Sequence, residues 1–494
     1  MNLFFAGHQE KYAVEQTLLT LFPQERPVYP DTPPGGDNEL VLSFSRGSQW
    51  CTARAVLRRG GKTYVRQCRV AAAELPAEDP VVSTRLTRRT LQRAFYLAAV
   101  DCLGTEPPWG MLSGVRPVKL PTRAMEAGAS PRQAEAMLRD QYRVSPLRRQ
   151  LAMDCAQASL AVKRDLKPQE ISLYVGIPFC PTRCAYCSFI SASGSANRLI
   201  PDYLDALLAE IDAAGAAARR AGKTVRSVYL GGGTPTTLEA PQLAELLDRL
   251  RRAFQLAPGT ECTVEAGRPD TITREKLIAI REGGGNRISV NPQTMSDPVL
   301  AAIGRSHRAQ DIRRAYALAR ETGVGAVNMD LIAGLPADTP AGFRRTVEEV
   351  LAMAPENITV HTLALKKGAR LRQEETPLPS GTDVAAMLDF AWAALRQAGY
   401  LPYYLYRQKF MSGSFENVGW CISGAEGLYN IYIMEELHSI LSLGAGGSTK
   451  MVDPVHQRIE RVFHTKYPTE YIQRSEKLEE NLSAFRQFHE NMRG

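Results

Sequence analysis

Cysteine is scarce in this sequence, nine in 494 residues and odd in number. A disulfide scaffold is thereby excluded, and a reducing compartment is expected. Long apolar runs are missing as well. None approaches the roughly 18 residues that signal a membrane-spanning helix. The opening MNLFFAGHQE has no basic stretch ahead of an apolar core, so no secretory leader is read there. A cytoplasmic protein is the expectation. Excess charge of one sign is absent from most of the chain. Residues 1–165 hold 23 Lys and Arg against 16 Asp and Glu, a net of +7, and the remainder adds only +1. An anionic partner such as RNA is one reading of the basic first third. A soluble basic surface is the commoner cause, and no RNA-module motif accompanies it.

A chain this long can bury several cores. Residues 1–165 read as a basic α+β domain. It begins with a strand and helix over 3–22, followed by strands at 40–44, 50–57 and 63–70, with Gly60-Gly61 as a hairpin turn. A helix over 84–103 and another over 131–162 close it, with a loop at 107–119 carrying Gly-Val-Arg116-Pro-Val-Lys119. From residue 166 to 375 the pattern becomes regular strand-then-helix alternation, the mark of parallel β/α units. Six strands are predicted, at 171–177, 227–230, 261–265, 287–291, 326–331 and 358–363. The helices between them fall at 201–221, 241–254, 273–282, 298–321 and 339–352. Six units imply an α/β fold with an open, partial barrel. Residues 376–494 form the last region, opening with a helix over 384–399.

One loop concentrates the chemistry. Tyr174-Val-Gly-Ile-Pro-Phe-Cys180 runs into Pro-Thr-Arg-Cys184-Ala-Tyr186-Cys187. The cysteines come after the carboxyl end of the first parallel strand, where α/β proteins build their sites. A closed zinc site needs four ligands, yet no other Cys and no His lies between Cys155 and Cys262. Three thiolates suit an iron–sulfur cube with one iron left open. Structural zinc and three unrelated thiols are the alternatives. Later strand ends carry Gly231-Gly232-Gly233-Thr234-Pro, Glu265, Asn291-Pro-Gln293, Gly304-Arg305 and Asp330-Leu-Ile332.

Cys-x3-Cys-x2-Cys with an aromatic before the last Cys resembles the signature of radical S-adenosylmethionine (SAM) enzymes. The Tyr-x-x-x-Pro-Phe-Cys opening narrows the resemblance to the oxygen-independent coproporphyrinogen III oxidase group, in its HemZ branch. The resemblance implies a partial (β/α)6 radical SAM barrel with an N-terminal α+β domain and a C-terminal substrate-side domain. It implies that Cys180, Cys184 and Cys187 hold a [4Fe–4S] cluster whose open iron binds SAM. An electron from the cluster would then cleave SAM to a 5′-deoxyadenosyl radical. By the same resemblance, Tyr174, Tyr186, Gly232, Gly233, Thr234, Glu265, Gln293, Arg305, Asp330 and Ile332 shape the SAM site, with Arg305 suited to a carboxylate. Arg407 and Lys409 are candidates for the propionates of a porphyrinogen substrate. The electron donor would be a flavodoxin or ferredoxin. Two positions depart from the oxidase group: Gly176 stands where it usually has His, and Phe189 where it often has a further Cys. A haem-binding chaperone and a radical SAM RNA-modifying enzyme are the other readings.

Overall fold

The computed structural model describes residues 1–33, 35–76, 78–189, 191–366, 368–374, 376–408, 415–473 and 475–492. Its chain forms two compact units, Met1–Val115 with Ala124–Gln150, and Arg116–Arg123 with Leu151–Gly494. No helix among the described residues is long and apolar enough to cross a membrane.

The first unit is a four-stranded sheet in sequence order, β1 (Asn2–Ala6), β2 (Glu39–Arg46), β3 (Trp50–Arg59) and β4 (Lys62–Ala71). Leu40, Leu42 and Leu57 of the sheet and Phe95 of helix α2 (Pro80–Leu103) are fully buried, with α1 (Lys11–Leu21) in the same core. Alternation along β2 puts its leucines on that face. Gly60 and Gly61, at φ 60° and 71°, make the expected β3–β4 turn. Helix α3 (Lys119–Glu126) begins where the sequence reading placed a loop. The single helix expected over 131–162 is two, α4 (Pro131–Asp140) and α5 (Pro146–Arg164). Arg143 at φ 56° turns the chain between them, and Pro146 lacks the N–H that a continuous helix would need.

The second unit contains all six predicted parallel strands. They are β5 (Glu170–Ile177), β8 (Thr224–Gly232), β9 (Glu261–Glu265), β10 (Arg287–Ser289), β11 (Ala326–Ala333) and β12 (Asn357–Thr362). The short pair β6 (Phe179–Cys180) and β7 (Ala192–Ser193) stands outside the main sheet, on the cysteine loop. Adjacent members of the six pair in parallel, in sequence order across the sheet. Ile171, Leu173, Val175 and Ile177, which share one face of β5, are all fully buried, and so is Ser172 on the other face, as expected of a parallel strand covered on both faces. Each such apolar side chain contributes roughly 1.5–3 kcal/mol on burial. The covering helices are α6 (Ile200–Arg220), α7 (Ala240–Phe254), α8 (Arg274–Glu282), α9 (Asp297–Ala302), α10 (Ala309–Thr322) and α11 (Pro340–Met353). Local signals start several of them. Thr339 Oγ1, for instance, accepts from the Gly342 N–H at 3.0 Å, with Pro340 in the first turn of α11.

The helix expected over 298–321 breaks into α9 and α10, because Gly304 adopts φ 73° and the Asp297 carboxylate takes the Ala309 N–H at 2.8 Å. Arg305 lies in that break rather than on a helix face.

The C-terminal third supplies strands that the sequence reading did not contain. After α12 (Arg370–Gln373) and α13 (Gly381–Gln397), β13 (Leu401–Arg407) and β14 (Glu416–Cys421) extend the sheet, with β14 antiparallel to β12 and β13 antiparallel to β14. Beyond α14 (Leu428–Glu435), β15 (Ile440–Leu443) pairs in parallel with β5 at the other side. The hairpin β16 (Ser448–Asp453) and β17 (Arg458–Phe463) comes next. The result is an eleven-stranded sheet among the described residues, its order of paired strands running from β13 to β17.

Candidate functional site

The carboxyl ends of five of the parallel strands, β8 to β12, and the cysteine loop that follows β5 line a cavity of about 400 Å³. Cys180, Cys184 and Cys187 all line it, each half-buried. Among the described residues no set of three or more His, Cys, Asp or Glu is already gathered in metal-binding geometry. Burial pushes the Cys187 thiol above its ordinary pKa.

The Gly-rich segment lies directly beneath this loop. Gly233 N–H donates to Ile177 O at 2.9 Å and Thr234 N–H to Phe179 O at 2.7 Å. Thr234 Oγ1 stands 3.5 Å from Cys180 Sγ. A Cβ on Gly233 would lie 2.5 Å from Phe179 O and 2.7 Å from Ile177 O, so the strand-to-strand seam admits only glycine. Gly176 has a comparable reason. A Cβ there would meet Ala445 O at 2.7 Å, where the turn after β15 crosses β5. Tyr203 Oη donates to Gly176 O at 2.7 Å and accepts from Ala445 N–H at 2.8 Å, fixing that crossing.

Glu265 ends β9 and faces the cavity, where Tyr229 donates its hydroxyl to it. Burial raises the Glu265 carboxyl to about 7 despite that bond. Asp330 is held the other way. Burial would raise it, but His361, Asn328 and Thr359 outweigh burial and keep it below the usual carboxylate range. Asn328 Nδ2 donates to Asp330 at 2.7 Å. Gln293 is in the left-handed region at φ 66°. Its backbone N–H donates to Asp330 O at 2.9 Å and its O accepts from Ile332 N–H at 3.0 Å. This isolated bridge ties the fourth strand end to the fifth.

Arg305 is buried. Its Nη1 donates to Gly267 O at 2.9 Å and Asn291 O at 3.3 Å, and its Nη2 to Tyr186 Oη at 3.0 Å. Its Nε and the Asn291 Oδ1, both buried, have no hydrogen-bond partner among the described residues. Buried donors and acceptors are seldom left unpaired unless a ligand or water meets them. Of the thirteen residues expected for cluster and SAM, only Tyr174 does not line the cavity. It stacks on Tyr229 instead, ring centroids 6.4 Å apart.

The candidate substrate cations fall differently. Along β13, Tyr404 and Tyr406 line the cavity, and Gln408 does so just beyond its end. Arg407, out of phase with Tyr404 and Tyr406 beyond the register shift at Pro402–Tyr404, is buried opposite Glu416 on β14 and does not line it. Lys409 lies outside the described residues. The cavity cations that sequence reasoning did not assign are Arg183, Arg268, Arg287 and Lys366. Arg268 had a visible signal, standing three residues after Glu265 at a strand end. Arg287 had none, since it opens its strand rather than closing it. The Tyr-rich run 400–406 gives the cavity wall three rings, Tyr403, Tyr404 and Tyr406.

Donor set and surroundings fit a cluster with a bound nucleotide-like ligand. Three thiols share one loop, a glycine seam lies against them, and unpaired buried polar atoms and opposite charges line the same wall. Comparison with known proteins agrees. Residues 174–350 match the Radical SAM superfamily. The oxygen-independent coproporphyrinogen-III oxidase-like protein HemZ of Bacillus subtilis is 38% identical over 380 residues, covering 76% of each chain. The heme chaperone HemW of Escherichia coli is 28% identical, over 62% of this chain and 77% of its own. The solved structure of coproporphyrinogen III oxidase (HemN) from Escherichia coli, a radical SAM enzyme, superimposes with a TM-score of 0.50 at 26% identity, over 64% of this chain and 71% of that one. With its six parallel strands, its cysteine loop and this degree of likeness to HemZ, the chain belongs to the radical SAM superfamily, in the oxygen-independent coproporphyrinogen III oxidase-like family, whose members use a [4Fe–4S] cluster and SAM.

Proposed function

We propose that the chain is a cytoplasmic oxidase that converts coproporphyrinogen III to protoporphyrinogen IX without oxygen, by oxidative decarboxylation of two propionates. The observation that carries this reading is the meeting, at one cavity, of a three-cysteine loop with the polar ends of the parallel strands. Cluster and SAM, when bound, supply a 5′-deoxyadenosyl radical that can take a hydrogen atom from a propionate side chain. Each propionate then loses carbon dioxide and one electron, so an electron acceptor completes the reaction.

The chain's own residues would serve this chemistry by holding and orienting. Cys180, Cys184 and Cys187 would carry the cluster. Gly232, Gly233 and Thr234 would receive the SAM amino group beside Glu265, whose carboxylate form suits an ammonium. The unpaired Arg305 Nε, next to its Nη2, offers an edge for the SAM carboxylate. Asp330 is kept ionised and is placed to accept from ribose hydroxyls, with Gln293 and Ile332 beside it. The tyrosine wall of β13 would exclude water from the reacting carbon. A reduced flavodoxin or ferredoxin is the proposed donor of the electron.

The likeness to HemW supports a second reading, a haem-binding chaperone. One anaerobic experiment separates the two. Protein with reconstituted cluster, incubated with SAM, dithionite and coproporphyrinogen III, should release 5′-deoxyadenosine as the porphyrinogen loses two carboxyl groups by mass spectrometry. Steady SAM cleavage with no change in porphyrinogen mass overturns the oxidase reading. Stoichiometric haem binding without turnover puts the chaperone reading in its place.

A further inference from the structure

Arg268 is 3% exposed and stands between three segments. Its Nε and Nη2 donate to the two carboxylate oxygens of Asp270, each at 3.2 Å. That bidentate pair fixes the plane of the guanidinium. The rest of the fork is turned to the cysteine loop. Nη2 donates to Thr182 Oγ1 at 3.0 Å, and Nη1 donates to Thr182 O at 3.3 Å and to Cys184 Sγ at 3.7 Å. Ser306 Oγ, one residue after Arg305, is 3.5 Å from Nη2. Asp270 neutralises Arg268 from behind, while the edge facing the loop donates to a carbonyl, a hydroxyl and a sulfur.

We propose that Arg268 is a positioning residue for the cluster: it clamps the Cys180–Cys187 loop through Thr182 and donates an N–H···S bond to Cys184, raising the reduction potential of the bound cluster. Hydrogen bonds to cluster sulfurs stabilise the more negative, reduced state and are a recognised lever on its potential. A Lys in this place could not reach Asp270, Thr182 and Cys184 together, because it lacks the planar fork. The inference rests on the assignment of the cluster to these three cysteines.

The test uses the full chain, reconstituted anaerobically, without SAM or substrate. Iron and acid-labile sulfide give cluster content, and an EPR-monitored redox titration gives the potential. In Arg268→Gln, at the potential where the wild-type cluster is half reduced, the ratio of reduced to oxidised cluster should fall about tenfold, the scale of one charged hydrogen bond. Arg268→Lys should fall between the two. A loop staple without electronic influence would leave the potential where it was, so a wild-type potential in Arg268→Gln, whatever its cluster content, overturns the inference. If Arg268→Gln does not fold, Asp270→Asn unhooks the guanidinium while leaving its charge in place, and an unchanged potential there overturns it equally. Full cluster content in Cys184→Ala would instead overturn the underlying cysteine assignment.

Discussion

Two clusters of positive charge in the larger unit are built on opposite plans. At Glu436, four cations share one carboxylate: Arg116 at 2.5 Å, Arg461 at 2.9 Å and Lys450 at 3.3 Å, with Lys119 also bonded. The side chain of Glu436 is 5% exposed. Its backbone is held in the left-handed region at φ 55°, where a non-glycine residue is uncommon. Burial would raise this carboxyl, but the Lys119 bond and the charges of Arg116 and Lys450 win and bring it down to about 2. Lys450 is pushed down to about 8 by burial, with Arg116 adding to the effect. At the cavity, by contrast, Arg268 has one carboxylate, and Arg305 has carbonyl and hydroxyl oxygens, the Cys184 thiol and an unpaired Nε, but no carboxylate partner among the described residues. The first cluster is saturated from within and serves to fasten the segment carrying Arg116 and Lys119 to the end of α14. The second leaves electrostatic demand unmet where an anionic guest would sit. Arginines alone do not distinguish a site from a staple; what their free edges face does.

These opposite plans predict effects that separate cleanly. The largest should come from Cys184→Ala, which removes the cluster and abolishes SAM cleavage while circular dichroism stays that of wild type. Retention of cluster in that variant would remove the cavity side of the contrast altogether. Next, Arg305→Lys should leave cluster content intact yet weaken SAM binding by roughly tenfold to a hundredfold, as calorimetry would read. That is the scale of a lost charge-assisted bond of about 1.5–3 kcal/mol. An unchanged Kd would show that the Arg305 edge meets no anion.

Glu436→Gln should act on stability rather than on cofactor binding. It leaves four cations facing one another, and with Arg461 46% exposed and Arg116 26% exposed, solvent screening holds the cost to about 1–3 kcal/mol, below that of a fully buried pair. The pH dependence gives the sign. The folded carboxyl lies at about 2 against an ordinary 4.5, so its stabilisation is complete above the ordinary value and fades as pH falls toward 2. Chemical denaturation should therefore show a gap between wild type and Glu436→Gln at pH 7 that closes as the pH falls from about 4.5. A gap independent of pH would mean that packing, not charge, holds this cluster. The smallest effect should come from deletion of residues 1–115, none of which is among the described residues that line the cavity and whose removal leaves Arg116 and Lys119 in place. SAM cleavage by the remaining chain should stay within about threefold of the full protein. Its complete loss with the cluster still bound would show that residues 1–115 take part in catalysis.

Much of this was legible in the chain because it is local. Strand–helix alternation set six parallel strands, and β5 through β12 follow it closely. The cysteine spacing and the polar residues at successive strand ends were readable for the same reason. Residues that close consecutive parallel strands arrive at one rim whatever the loops do. Reading failed where the decisive contact is distant. Gly304 breaks an otherwise helical run, and sequence periodicity did not register that one left-handed residue. Arg407 looked like a cavity cation until β13 paired with β14, since a strand's alternation gives two faces but not which one looks inward.

Order along the chain was enough for the parallel core, the three-thiol loop and the set of polar strand ends, since periodicity, spacing and residue chemistry are properties of neighbours. Long-range pairing was needed to place the last third against that core, with β13–β14 on one side and β15–β17 on the other. Folding alone brought Arg268 from the third strand end to Cys184, and Glu436 to cations as many as 320 residues before it. Such meetings depend on which strands pair across long loops. That choice is made by the packing of whole faces, which no short stretch of sequence contains.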